Sequence, residues 1–133
     1  MNSVARVCCL VVAFALARDA IAADGRELYP SFVVHPHEGT RPEFKFSEAY
    51  ATSASPVVIT VVGRKMKKSD SEYRTSLQRH WLSVHLPEQM EIVMREQVLC
   101  DFKTGTDASR CDRYLFEGGG KTLEYYFYLN NWR

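Results

Sequence analysis

The sequence has few cysteines, no excess of charge of either sign and a single long apolar run. Its 133 residues include 17 Lys and Arg against 16 Asp and Glu, so it lacks the large positive excess typical of proteins that bind nucleic acid or anionic lipid. It also lacks the HExxH motif of metalloproteases and the GxSxG motif of serine hydrolases. We therefore expect no nucleic-acid partner and no cofactor, and no coherent set of catalytic residues stands out.

The apolar run lies near the N-terminus, from Val7 to Ala17. Arg6 precedes it, and Ala20-Ile21-Ala22 follows with the small side chains that a signal peptidase requires. A membrane-spanning helix needs roughly 20 apolar residues, which this run does not reach. The pattern predicts a secretory signal peptide over residues 1–22 and a single exported domain over residues 23–133. The alternative is an uncleaved N-terminal anchor.

Removal of the predicted signal peptide would leave a neutral domain. Loss of Arg6, Arg18 and Asp19 reduces the 17 positive and 16 negative residues to 15 of each. Since no second long apolar run follows, we expect the mature chain not to insert into a membrane. The predicted location is the periplasm or the secreted fraction. The absence of an N-x-[ST] acceptor site is compatible with bacterial export.

The four cysteines fall into two pairs with different expected fates. Cys8 and Cys9 lie in the predicted signal peptide, whereas Cys100 and Cys111 remain in the exported domain. Two cysteines in an oxidising compartment have a single intramolecular pairing. The sequence therefore predicts a Cys100–Cys111 disulfide, with a metal or redox pair as the alternative.

Alternating apolar and polar residues predict short strands in the first half of the exported domain. We expect strands within Ser31–His35, Glu43–Glu48 and Pro56–Arg64, the last of them central. One amphipathic helix follows, because Tyr73, Leu77, Trp81 and Val84 recur at helical spacing. Its expected start is a capping box formed by Ser69 and Glu72, and Pro87 ends it.

The C-terminal third predicts an antiparallel meander of three strands. The segment Glu88–Phe102 fits a helix or a strand, and the turn residues after it favour a strand. Arg113–Glu117 and Lys121–Leu129 flank three glycines, as in a hairpin. The predicted fold class is α+β: an antiparallel sheet of five or six strands with one amphipathic helix packed on one face.

The aromatic residues of the last strand give the candidate site. Tyr, Trp and Arg are enriched where proteins bind one another. We predict a partner-binding surface formed by Tyr126, Tyr128, Trp132, Arg113 and Lys121. In the alternative interpretation both faces of the sheet are covered and the tyrosines belong to the core.

Two histidines give a weaker candidate. His35 and His37 point the same way in extended backbone and could contribute two ligands to a metal. The leading hypothesis is a small exported, non-catalytic protein-binding domain: an inhibitor, immunity protein or accessory protein of the bacterial envelope, whose partner and oligomeric state the sequence does not reveal. The alternatives are a metal- or small-ligand-binding protein that uses His35 and His37, and an exported hydrolase with an unrecognised site.

Overall fold

The computed structural model describes residues 26–35 and 42–133. The predicted signal peptide and His37 lie outside the described residues.

Within these ranges the chain forms six strands and one α-helix. The strands are β1 (Phe32–Val34), β2 (Phe44–Phe46), β3 (Ile59–Val61), β4 (Glu91–Cys100), β5 (Ser109–Gly118) and β6 (Lys121–Tyr128); the helix α1 (Arg74–His85) follows a 3-10 helix at Lys68–Tyr73. The first sheet has the order β1-β2-β3 and the second β4-β5-β6, both antiparallel. The α+β class is confirmed, but the strands divide between two sheets and do not form the expected single one.

The two sheets touch where the segment before β3 runs beside β6. Val57 and Phe127 form a parallel bridge. The Val57 N–H donates to the Tyr126 carbonyl at 2.9 Å, and the Tyr128 N–H donates to the Val57 carbonyl at 2.9 Å. From Ile59 onward the chain pairs with β2 instead, so the contact with β6 ends after a few residues. The run expected to be a long central strand is therefore a short one.

Helix α1 packs against the aromatic side chains of both sheets. The buried apolar residues of the strands are Phe44, Phe46, Ile59, Val61, Tyr114, Phe116, Tyr125 and Phe127, and those of the helix are Leu77, Trp81 and Leu82. Trp81 lies at the centre, with its ring 5.7 Å from that of Tyr125 and 5.4 Å from that of Phe127. The alternation predicted for β2 is confirmed, since Phe44 and Phe46 are buried and Lys45 is exposed.

The helix begins differently from the prediction. Residues 68–73 form a 3-10 helix, and its buried carboxylate is that of Asp70. Asp70 accepts the backbone N–H of Lys67 at 2.7 Å and two hydrogen bonds from Arg64, at 2.7 and 2.8 Å. The expected capping box of Ser69 and Glu72 is replaced by this arrangement.

The buried face of the α-helix also differs from the predicted one. The buried helix residues are Leu77, Gln78, Trp81 and Leu82, whereas Val84 is exposed. The prediction that Val84 belongs to the buried stripe is therefore wrong, and Gln78 occupies the core side in its place.

The C-terminal meander has the predicted disulfide. Glu88–Phe102 contains a strand, as favoured, and Cys100 and Cys111 form a disulfide across β4 and β5 with a Cα–Cα distance of 5.9 Å. At the other end of β5, a Cβ on Gly118 would lie 2.2 Å from the carbonyl oxygen of Gln89. Only glycine fits there without movement of the backbone.

In residues 26–35 and 42–133, no helix has both the length and the apolar content required to cross a membrane.

Candidate functional site

Strand alternation gives the second sheet two different faces. Asp112, Tyr114 and Phe116 of β5 are buried on the side of helix α1. Arg113 and Leu115 therefore lie on the opposite side, and the strand register places their neighbours there too. We call this opposite side the helix-free face; its residues are Met94, Glu96 and Val98 of β4, Arg113 and Leu115 of β5, and Glu124, Tyr126 and Tyr128 of β6.

A ladder of hydrogen-bonded charges crosses the middle of the helix-free face. Arg113 donates to Glu96 at 2.7 Å and also to Glu124, and the Tyr126 hydroxyl donates to Glu124 at 3.0 Å. The hydrogen bonds from Arg113 lower the pKa of Glu124, and those to Glu124 and Glu96 raise the pKa of Arg113. Two carboxylates meet one guanidinium, so this acidic ladder has a formal charge of −1. The positive charge of Arg113 is therefore already paired and is not available to an acidic partner.

The two candidate tyrosines of this face are half-buried. Burial raises the pKa of the Tyr126 hydroxyl, and its hydrogen bond to Glu124 acts in the same direction. The Tyr128 ring lies edge-on to Phe102 at 5.1 Å, and its hydroxyl is 3.0 Å from that of Thr104. The loop between β4 and β5 thus covers part of Tyr128, whereas Tyr126 lies nearer the open centre.

Trp132 and Lys121 lie elsewhere. The chain turns after β6, and Trp132 returns to the core, where it is 9% exposed and its ring stacks 6.3 Å from Phe44. Lys121 is exposed at the turn between β5 and β6 and shares the strand alternation of Tyr125, which faces the helix. The structure brings together Arg113, Tyr126 and Tyr128, and separates Lys121 and Trp132 from them.

The sequence reasoning missed the exposed edge strand β4. Of the seven large apolar side chains that are exposed among the described residues, four lie on β4: Ile92 at 58%, Val93 at 52%, Met94 at 38% and Leu99 at 73%. The sequence signal for this exposed strand was the run of three consecutive apolar residues at positions 92–94. A strand with one buried and one solvent-exposed face would instead alternate apolar and polar residues. Only the tertiary structure shows that this strand is at an edge.

The outer edge of β4 has only part of the usual protection of an edge strand. Its ten residues pair with β5 on one side and with no other described strand on the other. Edge strands are usually blunted by Lys, Pro or bulges. Residues 91–100 contain neither Lys nor Pro, and one irregularity interrupts the pairing, between Ile92 and Met94.

The histidines are dispersed in the described part of the chain. His35 is exposed and lies 3.3 Å from a carboxylate oxygen of Glu43. His85 packs between the rings of Tyr29 and Trp81, and burial lowers its pKa. No group of three or more His, Cys, Asp or Glu side chains in residues 26–35 and 42–133 could hold a metal ion.

A buried polar network lies on the other side of the second sheet, beneath α1. Gln78 donates to the Asp112 carboxylate at 2.8 Å and accepts from the Tyr114 hydroxyl at 2.6 Å. Arg95 also donates to Asp112, at 3.1 Å. Because these groups bond one another, the network fixes the helix on the sheet.

The chain was also compared with known proteins. No family model, no curated protein and no solved structure matches it.

Proposed function

We propose that this chain is an exported, non-catalytic protein-binding domain: an inhibitor, immunity protein or accessory protein of the bacterial envelope. The observation that carries the proposal is the concentration of exposed apolar side chains on the edge strand β4. Scattered exposed apolar residues are ordinary, whereas Ile92, Val93, Met94 and Leu99 are concentrated on one edge strand, which favours an interaction surface.

The partner adds a strand to the outer edge of β4. The unpaired backbone N–H and C=O groups of an edge strand are a template for such pairing, and the side chains on either face supply specificity. Leu99 and Met94 lie on opposite faces of β4. A strand placed along β4 would therefore bury apolar side chains both above and below the sheet.

The helix-free face extends this interface and sets its charge. The acidic ladder has a formal charge of −1 and lies beside Tyr126. Charge complementarity favours a partner that presents basic or hydrogen-bond donor groups at this position. Tyr126 offers a ring that is already held by Glu124, so little side-chain entropy is lost on binding.

The proposed export has two supports. Disulfides persist mainly in oxidising compartments, and the Cys100–Cys111 bond joins the two strands next to the proposed interface. The other support is the signal-peptide pattern of residues 1–22.

A binding measurement with matched variants tests the proposal. The full chain is produced with its own N-terminal segment, retained proteins from the envelope fraction are identified by mass spectrometry, and their dissociation constants are measured by calorimetry. Leu99→Lys and Tyr126→Ala should each weaken binding by about tenfold or more, as expected for interface hot spots.

Val84→Lys is the matched control. Val84 is an exposed apolar residue that belongs to α1 and not to β4, so this variant should bind as the wild type does. Retention of no protein, or equal weakening by Leu99→Lys and Val84→Lys, would contradict the proposed interface.

A further inference from the structure

A second candidate site lies on the helix side of the molecule. A cleft of about 440 Å³ opens between the first turn of α1 and the chain that follows β6. This volume is in the range of small-molecule sites. Leu129 and Trp132, each 9% exposed, form its apolar side. The cleft lies apart from the helix-free face, but it adjoins the edge strand β4: Gln97 of β4 lines it, and Arg110 is the register partner of Leu99. The probes that test it are therefore small carboxylates and not a protein partner.

Two guanidinium groups line the cleft. The Arg110 side chain makes no hydrogen bond or ion pair within the described ranges. Nε of Arg74 is buried and has no hydrogen-bond acceptor among the same residues. It lies 4.0 Å from Asp112, whose carboxylate also pairs with Arg95 at 3.1 Å. Both Arg74 and Arg110 therefore have guanidinium N–H groups that are free to donate hydrogen bonds to a ligand.

The indole N–H of Trp132 is a further unused donor. It is buried, and no acceptor bonds it in the part of the chain that the structure describes. A buried N–H without a partner is destabilising, because the group has lost its hydrogen bond to water. The side chain of Trp132 lines the same cleft as the two arginines. The Trp81 indole N–H in the core also has no acceptor among the described residues, so it is the place of Trp132 at the cleft that makes its indole a reporter for a bound acceptor.

Asn130 holds the cleft in shape. Its Oδ1 accepts the backbone N–H of Arg110 at 2.9 Å, and its Nδ2 donates to the Ala108 carbonyl at 2.9 Å. These bonds join the end of the chain to the start of β5. The backbone at Arg110 is therefore held in place before any ligand arrives.

We propose that this cleft binds a carboxylate. Arg74 and Arg110 against Asp107 give the lining a formal charge of +1, which matches a monoanion. A dianion such as phosphate would leave excess negative charge beside Asp107. Guanidinium groups bind carboxylates in a bidentate manner, and a carboxylate accepts several hydrogen bonds at once. The sources of this chemistry are a free small carboxylate and the C-terminal carboxylate of a peptide.

Nuclear magnetic resonance titration of the full chain tests the site. The probes are sodium acetate, acetyl-trialanine as the free acid and the same peptide as its amide, all at constant ionic strength. The indole N–H resonance of Trp132 should shift saturably with acetate and with the peptide acid, but not with the amide. The Trp81 indole, in the centre of the core, should stay fixed. Tighter binding of the peptide acid identifies a peptide terminus as the source, and equal binding identifies a free carboxylate.

Variants of exposed residues complete the test. Arg110→Gln should weaken binding by about tenfold or more, because a charged hydrogen bond is lost, and Gln97→Glu should abolish it by placing a second carboxylate in the cleft. Arg79→Gln, on an exposed part of α1 outside the cleft, should change nothing. The proposal is overturned by the absence of a saturable Trp132 shift up to about 50 mM acetate, well above a millimolar Kd. Equal shifts of both indoles, or equal effects of Arg110→Gln and Arg79→Gln, would overturn it too.

Discussion

Gln78 connects helix α1 to the second sheet through two buried partners. It donates to Asp112 and accepts from the Tyr114 hydroxyl. Gln78→Ala removes both bonds and leaves two buried polar groups short of a partner. We expect the free energy of unfolding, measured by urea denaturation, to fall by about 2–4 kcal/mol. The neighbouring exposed residue gives the control, since Arg79→Ala should change stability by less than about 0.5 kcal/mol. Equal stability of the two variants would contradict this role of Gln78.

Asp70 makes stability depend on acid pH. Hydrogen bonds from Arg64 lower the pKa of the Asp70 carboxyl from 3.8 to about 2. Because the pKa is lower in the folded state, the stabilisation is present above pH 3.8 and is lost as the pH falls through about 2. The free energy of unfolding of the wild type should therefore decrease over this interval.

The control for this pH dependence is a second carboxyl in the same 3-10 helix. Asp70→Asn should flatten the acid part of the profile and lower stability at pH 7 by about 1–3 kcal/mol. Glu72→Gln, at an exposed position, should keep the profile of the wild type. A steep acid transition retained in Asp70→Asn would show that other groups cause it.

Among the elements, the β4–β5 hairpin depends on its disulfide. Cys100 and Cys111 are 11 positions apart, and the entropy of a loop of this size corresponds to about 2–3 kcal/mol of stabilisation. The double variant Cys100→Ala/Cys111→Ala should lose this amount in urea denaturation. Wild type reduced with dithiothreitol should behave like the double variant, and an unchanged denaturation midpoint in both would contradict the prediction.

Local patterns were sufficient for some elements and not for others. The alternation of Phe44 and Phe46 with Lys45 predicted β2, because strand period and burial coincide there. The helix start was misplaced, because the pair of Asp70 with Arg64 involves a residue from outside the helix. A capping motif in the sequence cannot show such a partner, since the two residues meet only when the chain turns.

At the scale of the whole molecule, the sequence did not predict which strands lie at the edges of the sheets or which side chains share a face. The division into two sheets follows from Val57 pairing with β6 while Ile59 pairs with β2. Trp132 was predicted beside Tyr126, but it packs against Phe44, because the chain reverses after β6. Strand alternation predicts in part that Tyr126 and Arg113 share a face. That both bond Glu124 could be known only from the register of the strands.

The proposed protein interface is tested most directly by site-specific photocross-linking in cells. A photoreactive phenylalanine analogue is placed at Leu99, the most exposed of the large apolar residues of β4, and separately at Val84 on α1. We predict that the chain labelled at Leu99 forms one discrete adduct with another protein in the envelope fraction, and that the chain labelled at Val84 does not. No adduct from Leu99, or the same adducts from both positions, would contradict the assignment of β4 as the binding edge.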